Sequence, residues 1–143
     1  MIHFQRWEFE RSAKAVKFKI DNTAPPEVVA NLELLCEWVL DPLREFLGKP
    51  IRVTSGYRHP ELNRRIGGSK TSDHMYGRAA DIVVRGIQPD EIVYAVMDMK
   101  LPVKQAISEY NRWTHLSFEQ GCKRREHLRA TKVRGETVYH FLV

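Results

Sequence analysis

From Val28 to Leu47 the apolar residues recur at positions 28, 32, 35, 36, 39, 43, 46 and 47. That is the spacing of a helix with one apolar stripe, and a stripe of that length has to be buried against a second layer of structure. The stretch "DNTAPPEVV" (21–29) ahead of it reads as a helix start, with Asn22 or Thr23 as cap candidates and prolines just inside. Pro42 predicts a kink or a division, because it lacks the N–H that the helix ladder needs. Gly48 predicts the stop.

The second layer is written in β-branched and alternating segments. "IRVTS" (51–55) reads as a strand, and "AADIVV" (79–84) as a buried one. "VKQAISEY" (103–110) and "WTHLSFE" (113–119) read as a hairpin turning near Asn111 and Arg112, and "ETVYHFLV" closes the chain as a further strand. Between them, "HPELNRRIGG" (59–68) suggests a short helix closed by glycines. "QPDEIVYAVMDMK" (88–100) has a proline near its start, acids in its first turn and a basic end, all helix signals. The expected class is α+β: a small antiparallel sheet with helices packed on one side, in one domain spanning 1–143.

Bulk properties narrow the function classes. The 143 residues are 43% hydrophobic and 29% charged, the balance of a globular domain large enough to form a core without covalent staples. No run of about 18 apolar residues occurs, so no membrane span is expected. The N-terminal "MIHFQRWEFERSAKAVKF" lacks the basic start and apolar middle of a secretion signal. The expectation is a product made in the cytoplasm that acts elsewhere only if released, and a monomer. Cys36 falls in the helical stripe and Cys122 far from it, which makes neither a metal knuckle nor a disulfide scaffold. A net charge of +5 attracts polyanions such as nucleic acid, an anionic membrane or an acidic cell wall. No nucleic-acid motif is present, and the densest basic run, "KRRE" (123–126), reads as a solvated loop.

The chemistry concentrates in "SKTSDHMYGRAADIVV" (69–84). His74 stands seven residues before Asp81, with Gly77 to reverse the chain and Ala79 and Ala80 to keep bulk away from the strand entry. Imidazole nitrogen and carboxylate oxygen are both zinc donors, and a catalytic zinc takes three protein ligands. His115, between Trp113 and Leu116 in the expected hairpin, is the best third candidate. On spacing alone, a surface pair or a turn cap stands beside the metal reading.

The wider pattern carries a resemblance. Ser-x-His-x-x-Gly-x-Ala-x-Asp is matched by Ser72, His74, Gly77, Ala79 and Asp81. Ser-Gly-Tyr-Arg is matched by Ser55, Gly56, Tyr57 and Arg58, Trp-x-His-x-Ser by Trp113, His115 and Ser117, with Leu62-Asn63 and Gly67-Gly68 also in place. From about Phe4 to Phe118 the chain resembles the zinc peptidases of the D-alanyl-D-alanine carboxypeptidase and murein endopeptidase group, in its short single-domain branch, which includes phage endolysins. The resemblance implies a fold shared with the hedgehog signalling domain, and one zinc ion held by His74, Asp81 and His115. It also implies hydrolysis of amide bonds in peptidoglycan stem peptides, either terminal trimming or cross-link cleavage.

Roles for the remaining residues follow from that resemblance. Many relatives carry a catalytic acid three residues before the last histidine, where this chain has Arg112, which cannot act as a base. Glu109, six residues before His115, resembles the arrangement of the short branch and is the candidate general base. A three-residue turn at 111–113 would set it opposite His115; a two-residue turn would set Thr114 there instead. Arg58 resembles the arginine that binds the substrate carbonyl or carboxylate, as a permanently charged fork can. Ser72 is a candidate for binding substrate or for capping a turn, and Gln105 shares the strand face of Ile107 and Glu109. Asp73 could support the site beside His74. Tyr57 and Trp113 read as cleft lining or core, and His59, His127 and His140 as outside the site. The rival function is a zinc-stabilised module that grips wall peptides without cutting them.

Overall fold

The computed structural model describes residues 1–143. The long apolar stripe forms α3 (Pro26–Leu35), a π-helical segment (Cys36–Leu40) and α4 (Asp41–Leu47), ended by Gly48 in the left-handed region. The division comes from Pro42, as expected, but it acts one turn earlier. Its ring displaces the carbonyl of the preceding turn, and the ladder widens so that Asp41 N–H reaches Cys36 O, five residues back. The helix starts at Pro26 with Pro25 as its cap, so neither Asn22 nor Thr23 caps it. Asn22 is buried instead. Its amide donates to Glu10 O (2.8 Å) and Tyr57 O (2.9 Å), and its oxygen accepts from His59 N–H (2.8 Å).

Two short helices precede it, α1 (Arg6–Glu10) and α2 (Ala13–Phe18). The Asp41 carboxylate pins the chain start by accepting from the N–H groups of Ile2 and His3, both at 3.0 Å.

The sheet contains β1 (Ile51–Ser55), β2 (Ala79–Val84), β3 (Gln105–Glu109), β4 (Trp113–Ser117), β5 (Glu126–Val133) and β6 (Glu136–Phe141). Their spatial order is β1-β2-β4-β3-β5-β6. Every neighbouring pair is antiparallel except β3 and β5, which run parallel. The sheet is therefore mixed rather than purely antiparallel. Glu126, expected in a solvated loop, begins β5. α5 (Pro60–Arg65) follows β1, and α6 (Pro89–Asp98) follows β2.

Alternation along the strands separates two faces. Ile51, Val53, Ala80, Ile82, Val84, Ala106 and Leu116 point into one core with Leu32, Leu35, Val39, Leu43, Ile92 and Val96 of the helices. On the opposite face Ile107, Leu128 and Ala130 form a small separate apolar cluster. That second face carries the polar residues of interest. No helix of the protein is long and apolar enough to cross a membrane.

α6 is held to β5 by Arg129, whose Nε and Nη2 both donate to Asp90 Oδ2 (3.0 and 2.6 Å). Those bonds lower the Asp90 pKa against a smaller opposing effect of burial. A carboxylate lowered in the folded state stabilises it above the ordinary range, and the contribution fades as pH falls through the folded value. Asp90→Asn is expected to cost at most about 1 kcal/mol at neutral pH, since the pair is partly solvated. Urea unfolding of the two proteins should converge in acid below the ordinary carboxylate pKa of about 3.9.

Candidate functional site

His74 lies in a one-turn 3₁₀ helix (Asp73–Tyr76). Ser72 Oγ accepts from His74 N–H (3.3 Å) at its start, and Gly77 closes it with φ of 71°. A Cβ on Gly77 would meet Val28 O at 2.6 Å, so the turn is seated directly on α3. The His74 ring is 4% exposed. Its Nδ1 lies 2.7 Å from Gly56 O. A carbonyl only accepts, so Nδ1 carries the proton and the Nε2 lone pair faces the opposite way. There it stands 3.4 Å from Asp81 Oδ1.

Gly56 can offer that carbonyl because α1 crosses it closely. An added Cβ would lie 2.6 Å from both Cα and O of Phe9, and Tyr57 N–H donates to Phe9 O (2.7 Å). Arg58 N–H donates to His74 O (3.0 Å). The Ser55–Arg58 and Ser72–Asp81 motifs are thereby laced together through their backbones.

Asp81 and His115 are direct cross-strand partners in the β2–β4 ladder, so both side chains leave the same face. His115 Nδ1 is 3.0 Å from Asp81 Oδ1. The two histidine rings meet edge to face at 5.3 Å. One donor atom each from His74, Asp81 and His115 fall within 4.8 Å of one another. Burial works to raise the Asp81 pKa, but the hydrogen bond from His115 and the charge interactions with the two adjacent imidazoles prevail and hold the carboxyl well below the usual range. Two imidazoles and one ionised carboxylate form a donor set that suits zinc, and the bond from Gly56 O fixes the tautomer of one ligand, as an outer partner should.

Glu109 pairs with Trp113 across the β3–β4 ladder, and Ile107 stands opposite His115. The turn has three residues, Tyr110 to Arg112, one position earlier than the expected 111–113. The register therefore moves Glu109 from opposite His115 to the diagonal position. The face is unchanged, because the shift is two residues on one strand. Burial raises the Glu109 pKa; His115 beside it works downward and Asp81 upward. Trp113 Nε1 is buried without a bonded partner next to it.

A cleft of about 600 Å³ opens from His115 and Glu109 across the sheet. Ser72, Asp73 and Gln105 line it. Ser72 caps the His74 turn, Asp73 binds Lys104 Nζ (3.1 Å), and Gln105 Nε2 donates to Glu126 Oε1 (3.1 Å). Arg58 borders a neighbouring hollow beside Tyr57. Its Nη1 donates to Asn63 Oδ1 (2.9 Å), and its buried Nε has no partner. Burial lowers the Arg58 pKa, opposed by the charges of Asp81 and Glu109. Tyr57 is core. His59 caps α5, accepting from Glu61 N–H; His127 and His140 lie on β5 and β6 away from the donor cluster. A larger hollow, about 820 Å³, lies around the β3–β4 turn with Arg112, Arg129 and Lys132, and holds none of the three donors.

Sequence reasoning did not reach Glu126, Leu128, Tyr139 and Phe141, which form the far side of the cleft. The alternation Glu126, Leu128, Ala130 was the available signal, hidden behind the basic run that precedes it.

Gly56→Ala is expected to destabilise the fold by about 1–3 kcal/mol, since the new methyl group meets backbone rather than a yielding side chain. Urea unfolding checks this, and a change within about 0.5 kcal/mol would mean that α1 is free to move off the loop.

Comparison with known proteins shows the family. A 50-residue segment, 34% of the chain, is 44% identical to the zinc D-Ala-D-Ala carboxypeptidase of Streptomyces albus G and covers 20% of that relative's length. The chain thus matches about a fifth of the curated relative. A family model described as Peptidase M15 matches residues 2–117, a span that takes in α1 through β4 and every donor of the cluster. The chain belongs to the peptidase M15 family.

Proposed function

We propose that the protein is a zinc-dependent hydrolase of amide bonds in peptidoglycan stem peptides, acting as a D-Ala-D-Ala carboxypeptidase or as a cross-link endopeptidase. The observation that carries this is the convergence of His74, Asp81 and His115 at one point, with Glu109 on the same sheet face. The matched relative's printed activity supports the substrate class.

Zinc held by the three donors would supply Lewis acidity to a scissile carbonyl and to a water. The residues around it do the rest. Glu109 takes the proton of the attacking water and returns it to the leaving amine; burial, by raising its pKa, brings it closer to neutral pH, where such transfer is most effective. Arg58, whose charge is felt at Asp81 and Glu109, supplies the positive charge for the carbonyl or carboxylate of the substrate. Ser72 and Gln105 hold peptide groups along the cleft. A lysis role, in which the chain is made in the cytoplasm and released to the wall, fits its basic charge.

Arg112, exposed on the turn where many relatives have an acid, favours a second reading: a zinc-stabilised wall-binding module. The release of new amino groups from purified peptidoglycan separates the two. His74→Ala is expected to lose bound zinc and turnover together. Glu109→Gln should keep zinc while turnover falls about 10²–10⁴-fold. A metal-loaded Glu109→Gln protein with full activity would remove Glu109 from the reaction, and wild-type protein that binds zinc and releases no amino groups would favour the binding module.

A further inference from the structure

We infer that the β5–β6 hairpin forms a side-chain subsite for a substrate residue whose aliphatic chain ends in a free ammonium. The inference rests on the peptidase reading and names part of its substrate.

The hairpin lies beyond residues 2–117 that the family matches, yet it builds one wall of the cleft. Ladder registers explain how. Asp81, His115, Ile107, Leu128 and Phe141 form one continuous cross-strand row, and Trp113, Glu109, Ala130 and Tyr139 form part of the next. All of these side chains leave the same face. Ile107 and Leu128 are nearly covered and close the floor. Phe141 and Tyr139 leave 67% and 55% of their surface exposed on the outermost strand. Large aromatics bared beside a cleft are surface waiting for a contact. Tyr110 Oη and Thr137 Oγ1, 2.6 Å apart, tie β6 to the turn that follows Glu109, so the wall is fixed relative to the catalytic face.

Charge supplies the second observation. The protein carries a net +5, yet the cleft is lined by Asp73, Glu109 and Glu126 against the single ammonium of Lys104. Asp73 is neutralised by Lys104 (3.1 Å), and Glu109 faces His115 and Arg58. Glu126 has only a long, solvent-exposed ion pair. It accepts from the neutral Gln105 amide at 3.1 Å, and its ion-pair partner, Arg124 at 3.8 Å, is 82% exposed. Leu128 stands two residues along the same strand face. An apolar wall ending in an underpaired carboxylate matches a methylene chain ending in an ammonium. At about 4.8 Å per strand, Glu126 lies roughly 10 Å from the His115 strand, within one or two peptide residues of the reacting bond.

The test measures binding in the zinc-loaded Glu109→Gln background, so that no turnover is needed. The probes are Nα-acetyl-Lys-D-Ala-D-Ala and the same peptide with its side-chain amine acetylated. The free-amine peptide should bind about tenfold more tightly than the capped one, as expected for a charge-assisted hydrogen bond. Adding Glu126→Gln should abolish that preference by weakening the free-amine peptide alone, while Phe141→Ala weakens both. Zinc content and thermal melting report whether each variant stays folded, and the preference between probes needs no hairpin variant. Equal affinity for the two peptides, no binding of the free-amine peptide, or equal losses of both on Glu126→Gln would overturn the inference. If the preference is present and wild-type protein cleaves neither peptide and releases no amino groups from peptidoglycan, the subsite stands and the peptidase reading fails.

Discussion

The hydrogen bond between His74 Nδ1 and the Gly56 carbonyl, at 2.7 Å and out of contact with water, is the constraint on which the site depends. It turns the Nε2 lone pair of one imidazole toward the donor cluster and couples two motifs that lie 18 residues apart. It exists only because Gly56 lets the backbone of Phe9 approach, because Asn22 gathers Glu10, Tyr57 and His59, and because Gly77 seats the His74 turn on α3. Helices far from the chemistry thus decide which ring nitrogen faces the cluster. The other two donors need less help, since the β2–β4 ladder sets Asp81 beside His115 directly.

Placing three donors by two different devices has a consequence. The ladder pair is as rigid as the sheet, while the His74 turn is only as fixed as its hydrogen bonds and its seat on α3. Without a cation the cluster brings a buried carboxylate against two imidazoles, whose hydrogen-bonding and charge interactions hold the Asp81 pKa down against burial. A preformed carboxylate and a fixed tautomer remove two of the costs of metal entry.

Much of this was legible in the sequence. The helix stripe, the strands at 51–55 and 79–84, α6 and the β3–β4 hairpin follow from period and from turn residues. The three donor candidates came from the family resemblance, and the structure brings their side chains together. Glu109 kept its expected sheet face despite a register error because parity, not exact pairing, selects the face: it moved from opposite His115 to its diagonal and still lines the cleft. Other features were hidden for physical reasons. α1 and α2 are too short to show a period, and their positions come from tertiary bonds such as Ser12 to Ala15 and Asn22 to Glu10. β5 was masked by the charge of the preceding "KRRE" run, and its parallel pairing with β3 is a property of chain path that no local pattern encodes. Asn22 looked like a cap because capping and buried bridging use the same side-chain chemistry.

X-ray absorption at the zinc edge of the metal-loaded protein tests the central claim most directly. The account predicts a coordination shell at about 2.0–2.2 Å containing two imidazoles and one carboxylate with no sulfur, and the loss of that shell with the zinc in His74→Ala. A thiolate distance near 2.3 Å, which would bring in Cys36 or Cys122, or a shell unchanged by that substitution, would contradict it.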